Sequence, residues 1–80
     1  MNIRILAFGI AREIFGSSQI ELSVNDKASI ADLKKELEKK FPRLGQLASY
    51  MVAQNSNYAE NGSPVQQQDE IAIIPPVSGG

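Results

Sequence analysis

The residues best placed to do chemistry are the last ones. The chain closes on Ile73-Ile74-Pro75-Pro76-Val77-Ser78-Gly79-Gly80: an apolar run, a pair of prolines, and then a pair of glycines. Proline fixes φ and has no N–H, and Pro76 also drives Pro75 out of the helical region, so this stretch leaves a preceding strand extended. Stretched out, Pro75 to Gly80 reaches roughly 18–20 Å. Glycine has no Cβ, so Gly79 and Gly80 can pass through a slot that a side chain would block. A stiff root and a slim tip suit the delivery of a terminal carboxylate into a deep site on another protein. The Gly80 carboxylate is the candidate reacting group, and Gly79 keeps the tip narrow.

Other chemistry is scarce. The chain has no Cys and no His, which removes the thiol nucleophile, the disulfide, the thiolate metal site and the near-neutral imidazole. Asp69-Glu70 is a poor metal pair, because neighbours along a strand point to opposite sides. Arg12 and Glu13 form no catalytic set and read as exposed helix charges. Lys34, Lys35, Lys39 and Lys40 are interleaved with acids on an amphipathic helix, the pattern of a solvated face. A net charge of −1 does not supply the field of a nucleic-acid binder. The expectation is a chain that binds no metal, cofactor or nucleic acid and is no enzyme on its own.

Eighty residues make one domain, and 42% apolar with 21% charged residues is ordinary for a globular chain. No run of about eighteen apolar residues exists to span a membrane. Met1-Asn2-Ile3-Arg4 lacks the charged-then-apolar layout of a secretory leader. A cytoplasmic location with no membrane partner is expected.

The elements that must position the tail follow from periodicity. IRILAF (3–8) alternates Ile3, Ile5 and Ala7 against Arg4, Leu6 and Phe8, a strand. GIAREIFG reads as a short helix with Ile10 and Ile14 one turn apart and Gly16 as its stop. QIELSV alternates as a half-buried strand. SIADLKKELEKKF is the main helix: Ser29 caps it, Asp32 completes a capping-box-like pair, and Ile30, Leu33, Leu37 and Phe41 form one stripe. Pro42 ends it. SYMVAQN reads as a strand whose facing is ambiguous, since Val52 and Gln54 share a side. Tyr58 and Ala59 form a very short strand before the Asn61-Gly62 turn, and EIAIIP is the last strand. This order gives an α+β mixed sheet with the helix packed on one face.

One helix covers one face. With Ile3, Ile5, Ile20, Leu22, Val24, Ile71 and Ile73 turned toward it, the other side carries Leu6, Phe8, Ala72 and Ile74. If the first and last strands are neighbours, these side chains form an apolar patch of the kind that marks a protein interface. The alternative is a cover supplied by the short helix after Gly9 or by the loop through Leu44 and Leu47.

The ending IIPPVSGG, with DEIAI before it and VAQN further upstream, resembles the small, sulfur-carrier subunit of molybdopterin synthase, in the ubiquitin-like β-grasp group. AREIFG and SIADLKKEL fit as well, so the resemblance covers essentially the whole chain. PPVSGG is its most specific part; carriers for thiamine synthesis and tRNA thiolation share the Gly-Gly but generally not the Pro-Pro. The resemblance implies a β-grasp domain over 1–75 and an extended tail over 76–80. It further implies that an adenylyltransferase of the ubiquitin-activating type uses ATP with Mg to adenylate Gly80, and that a sulfur donor then leaves a thiocarboxylate. The sulfur is carried to precursor Z in the large synthase subunit, with small and large subunits paired as a heterotetramer. Leu6, Phe8, Ala72 and Ile74 match the docking face, and Pro75, Pro76, Val77 and Ser78 the stretch that enters the partner. The sequence departs from the family pattern at Gln54, where an apolar residue is frequent, at Gln68-Asp69, where Gly-Asp is frequent, and at Ile73 and Ile74, which often align with aromatics. A carrier for thiamine or tRNA thiolation and a ubiquitin-like interaction domain with an inert tail are the alternative readings.

Overall fold

The computed structural model describes residues 1–47 and 49–75. Residues 76–80, expected to form the tail, lie outside that range, as does Ala48. The chain runs β1 (Asn2–Ala7), α1 (Ile10–Phe15), β2 (Gln19–Ser23), α2 (Ile30–Lys40), α3 (Pro42–Gly45), β3 (Met51–Gln54), β4 (Asn57–Tyr58) and β5 (Ile71–Ile74). The strands form one mixed sheet in the order β2-β1-β5-β3-β4. β1 and β5 lie parallel at its centre, and the other neighbours pair antiparallel. Because parallel neighbours need a long crossover, everything from α1 to β4 is connection between the two central strands.

Alternation sets the core. Ile3, Ile5 and Ala7 of β1 and Ile71 and Ile73 of β5 are buried, and Leu22 and Val52 join them from the flanking strands. α2 lays Ile30, Leu33 and Leu37 over this surface. Its start is closed by sequence-local and loop partners together. Ser29 N–H donates to Asp32 Oδ2 at 3.0 Å, and Asp32 N–H donates to Ser29 Oγ at 3.3 Å. The next orphan donors, Ile30 N–H and Ala31 N–H, find the carbonyls of Ser63 and Asn61 at 2.9 Å each. The open N-terminal amides of the helix are thereby satisfied, and the long loop before β5 is tied down in the same step. Tyr50 O–H donates to Glu38 Oε2 at 2.5 Å, fastening the approach to β3 onto the side of α2. Burial, with the Glu38 carboxylate adding to it, pushes the phenol well above its ordinary value.

Two features of the helical layer go beyond the sequence reading. First, in α1 it is Ala11 and Phe15 that are buried, while Ile14 packs partly against the core and Ile10 is 41% exposed. This facing seats the Phe15 ring against Phe41, with centroids 4.7 Å apart, while Gly16 at φ 76° terminates the helix. Second, Pro42 ends α2 but also begins α3, since a first-turn position has no intrahelical use for the missing N–H. α3 carries Leu44 fully into the core.

These placements decide what covers the sheet. Ala11, Phe15, Leu44 and Leu37 belong to one cluster, and Leu47 packs against it. α1 and α3 therefore sit on the same side as α2, and neither supplies the alternative cover for the opposite face.

The facing of β3 is also settled. Val52 is buried, and Gln54, two residues on, reaches the margin of the same side. Its Nε2 donates to Pro64 O at 2.9 Å and to Asp69 Oδ2 at 2.8 Å. The amide that departs from the family pattern is fully employed. Beyond it, β3 and β4 join through Asn55 (φ 52°) and Ser56 (φ 73°), a two-residue loop of the I′ kind in which both residues are left-handed. Asp69 holds this loop. Its carboxylate accepts from Asn55 Nδ2 at 2.9 Å and from Gln66 N–H at 2.8 Å. Partial burial works to raise the Asp69 pKa, but the bonds from Asn55, Gln66 and Gln54 outweigh it and hold the carboxyl below its ordinary value.

Two outcomes are expected. Ser56→Gly relieves a left-handed cost of about 1 kcal/mol at a non-glycine residue, so denaturant unfolding should show a gain of about 0.5–1 kcal/mol with an unchanged m-value; a loss would contradict the turn assignment. Asp69 and Asp32 both titrate lower in the folded chain than unfolded. Their stabilisation is fully present above the unfolded value of about 4 and is lost as pH falls from there through the folded values. Acid unfolding followed by circular dichroism should therefore set in below about pH 4, and Asp69→Asn should flatten that slope.

Candidate docking face and tail root

The face opposite the helices is built by register. Leu6 pairs with Ala72, Ala72 with Ala53, and Ala53 with Tyr58, so one row crosses β1, β5, β3 and β4 on the side away from the core. Large residues stand at its ends and alanines lie between them. With strands about 4.8 Å apart, Leu6 and Tyr58 are separated by about 14 Å, and the alanines make a shallow floor. The next row holds Ile74 against Met51. Phe8 follows β1 at the same end of the sheet, because β1 and β5 run parallel. Tyr58 is 65% exposed, Phe8 53% and Met51 49%, which makes these the most exposed large apolar side chains among the described residues.

The same face turns polar at its other end. Arg4 pairs with Glu21 and Asn2 with Ser23 across β1 and β2, and a groove there, bordered by Leu6, is lined by Asn2, Arg4, Glu21, Gln68 and Glu70. The apolar half is thus confined to the end where β5 gives way to Pro75.

Pro75 itself is fitted to its neighbour. A Cβ added at Gly9 would stand 3.1 Å from Pro75 Cγ, and Gly9 has φ 55°, a conformation that side-chain-bearing residues rarely adopt. The corner between β1 and α1 carries no side chain where the proline ring lies. The structure therefore brings Leu6, Ala72, Ile74 and Pro75 together, with Phe8 beside them. Pro76, Val77, Ser78, Gly79 and Gly80 lie outside the described residues.

Sequence reasoning missed Met51, Ala53 and Tyr58. The signal was present in the hairpin: recognising Asn55-Ser56 as a two-residue loop places Tyr58 opposite Ala53 at once. Ser56 obscured it, since glycine is the usual second residue of such a loop.

The arrangement holds no reactive constellation of its own. Among the described residues no polar or charged side chain is buried, and no cluster of acidic residues could hold a metal ion. The perturbed groups are each accounted for structurally: Asp32 and Asp69 by capping and fastening hydrogen bonds, and Tyr50 by burial together with its bond to Glu38. No helix among the described residues is long and apolar enough to cross a membrane. What this half of the sheet can do is present a greasy surface and launch a chain from its edge.

Residues 5–80 match the ThiS family. The "Molybdopterin synthase sulfur carrier subunit" of Arabidopsis thaliana is 38% identical over 81 aligned residues, covering 100% of this chain and 84% of the relative. The crystal structure of SAMP1 from Haloferax volcanii superposes with a TM-score of 0.86 at 26% identity, covering 100% of both chains. A chain in the protein–protein complex of subunits 1 and 2 of the molybdopterin-converting factor from Helicobacter pylori superposes with a TM-score of 0.68 at 25% identity, again over 100% of both. With its ubiquitin-like mixed sheet and its full-length likeness to these proteins, the chain belongs to the ThiS family, among the molybdopterin synthase sulfur carrier subunits.

Proposed function

We propose that the chain is the sulfur-carrying small subunit of a molybdopterin synthase and that its Gly80 carboxylate is the group other proteins charge and discharge. The observation that carries this reading is the placement of the apolar half-face: it ends at Pro75, from which the sequence continues through Pro76, Val77 and Ser78 to Gly79-Gly80. A partner seated on Leu6, Phe8, Ala72 and Ile74, with Met51 and Tyr58 at the margin, meets the root of the tail in the same contact.

The chemistry follows from the electrophile. An ionised carboxylate at neutral pH resists attack. A ubiquitin-activating-type adenylyltransferase, using ATP with Mg, joins the Gly80 carboxylate to AMP and releases pyrophosphate. A sulfur donor then displaces AMP, leaving a terminal thiocarboxylate. Within the large subunit this sulfur passes to precursor Z, and two such transfers build the dithiolene. Sulfurtransferase activity belongs to the complex, a heterotetramer of paired small and large subunits; this chain contributes cargo and docking and binds no cofactor itself. The site of action is the cytoplasm. Residues 1–75 act as the folded handle and 76–80 as the working tail.

Two measurements test the reading. Co-produced with its adenylyltransferase and a sulfur donor, the chain should show an intact-mass species in which one oxygen is replaced by sulfur, and deleting Gly80 should abolish both that species and cofactor synthesis. Cofactor synthesis that survives the deletion ends the proposal. Phe8→Asp should leave the fold intact by circular dichroism, since Phe8 is exposed, yet weaken large-subunit binding by at least about 30-fold, the loss expected of a central apolar contact. If the variant unfolds instead, Phe8 belongs to the core and the face has been misassigned.

A further inference from the structure

The docking row ends on a residue with little to hold it. Tyr58 lies on β4, which spans only Asn57–Tyr58 and forms the edge of the sheet, with β3 its sole neighbour. A short hairpin is marginal by itself, and Tyr58 does not anchor β4 by burying its ring. The loop that joins the strands has both residues in the left-handed region, and Ser56 is not suited to it.

What fixes the hairpin is a clamp at the entrance to β5. Asp69 Oδ1 accepts from Asn55 Nδ2 at 2.9 Å. Asp69 Oδ2 accepts from Gln54 Nε2 at 2.8 Å and from Gln66 N–H at 2.8 Å. Asn55 is gripped a second time, its Oδ1 accepting from Glu70 N–H and its own N–H donating to Glu70 O, both at 2.9 Å. Gln54, the last residue of β3, and Asn55, the first of the turn, are thus bonded to one carboxylate or to the residue after it. Only an ionised carboxylate accepts all these donors without presenting a hydrogen to any of them; an amide at position 69 would set its NH2 against one.

We infer that Asp69 is a positioning residue for partner docking: its carboxylate locks the β3–β4 turn through Asn55 and so holds Tyr58 as the far wall of the apolar trough. The inference rests on the docking face proposed above. An aromatic anchor held in place before contact loses less freedom on binding, which is where the gain in affinity arises. The role differs from plain stabilisation of the core, because the clamp is polar and lies at the end of the sheet: it ties Gln54 of β3 and Asn55 of the turn to the residues just before β5, and it reaches β4 through that turn.

The test compares Asp69→Asn with the exchange Asp69→Asn/Asn55→Asp, which restores the bond with donor and acceptor reversed and leaves an acceptor for Glu70 N–H. Large-subunit affinity is measured with each full chain, and hydrogen exchange is followed at the Ala59 amide, which donates to Val52 O at 2.8 Å across the hairpin. Asp69→Asn should weaken docking about tenfold and speed exchange at Ala59 while leaving core amides such as that of Ile5 protected. The exchanged pair should recover both. Should Asp69→Asn unfold the chain, Asn55→Gly keeps the left-handed conformation, removes the Asn55–Asp69 bond together with the acceptor of Glu70 N–H while leaving Asp69 bonded to Gln54 and Gln66, and should give a comparable tenfold loss. Tyr58→Ala that weakens docking while Asp69→Asn and Asn55→Gly leave it unchanged overturns the inference and spares the docking face. Docking indifferent to both Tyr58→Ala and Phe8→Asp removes the face, and the inference with it.

Discussion

The parallel pairing of β1 with β5 is the constraint on which the rest depends. It places the first and last strands side by side at the centre of the sheet, Ile5 against Ile71 and Ala7 against Ile73 on the core side. The same register sets Leu6 against Ala72 on the other side. Because the strands run in the same direction, their C-terminal ends coincide, and Phe8, Gly9, Ile74 and Pro75 meet at one corner. An antiparallel pairing would have sent the tail out at the polar end, beside Arg4 and Asn2. One choice of strand direction therefore joins the core, the apolar patch and the exit of the chain.

A parallel pair also requires that the intervening chain cross from one end of the sheet to the other. Here the crossover lies on a single face. α2 is anchored there by its stripe, and its capped start draws the loop of residues 60–66 over it through Ser63 and Asn61. α1 and α3 follow, with Phe15 and Leu44 buried in the same cluster. With every helix committed to one layer, the second face of the sheet is left to alanines and exposed large residues. Its exposure is a consequence of where the core formed.

Much of this was legible in the residues. The alternation in β1 and β5 gave both faces correctly, and Ser29 with Asp32 announced the start of α2. The parts that escaped share a cause, which is that their signal is not periodic. α3 hid behind Pro42, because a proline that terminates one helix and initiates the next looks the same in sequence. The facing of α1 was not readable because six residues offer more than one apolar stripe, and the partner that Phe15 meets, Phe41, arrives from elsewhere in the chain. The β3–β4 turn was obscured by Ser56 in a position that glycine usually fills. Tyr58 was placed in a very short strand, as found, but not on the apolar face, for the same reason. Gln54 looked like a blemish in a strand and proved to be a ligand of Asp69, a contact between residues that no local pattern links.

The division of labour between body and tail has a chemical logic on the proposed reading. An acyl-adenylate at Gly80 is vulnerable to any thiol or amine that reaches it. The chain contains no cysteine, so self-capture as a thioester is impossible. Its lysines are Lys27, Lys34, Lys35, Lys39 and Lys40, and four of them lie on α2, with Lys27 in the loop before it. They occupy the helical layer, across the sheet from the face that a partner covers. Lys34 is further occupied by Asn61, with Nζ donating to Oδ1 at 2.9 Å. The sheet thus lies between the lysine amines of the body and the proposed docking face. A scaffold without thiols, with its lysines in one layer and its proposed docking surface in the other, is suited to carrying a reactive end that it must not itself consume.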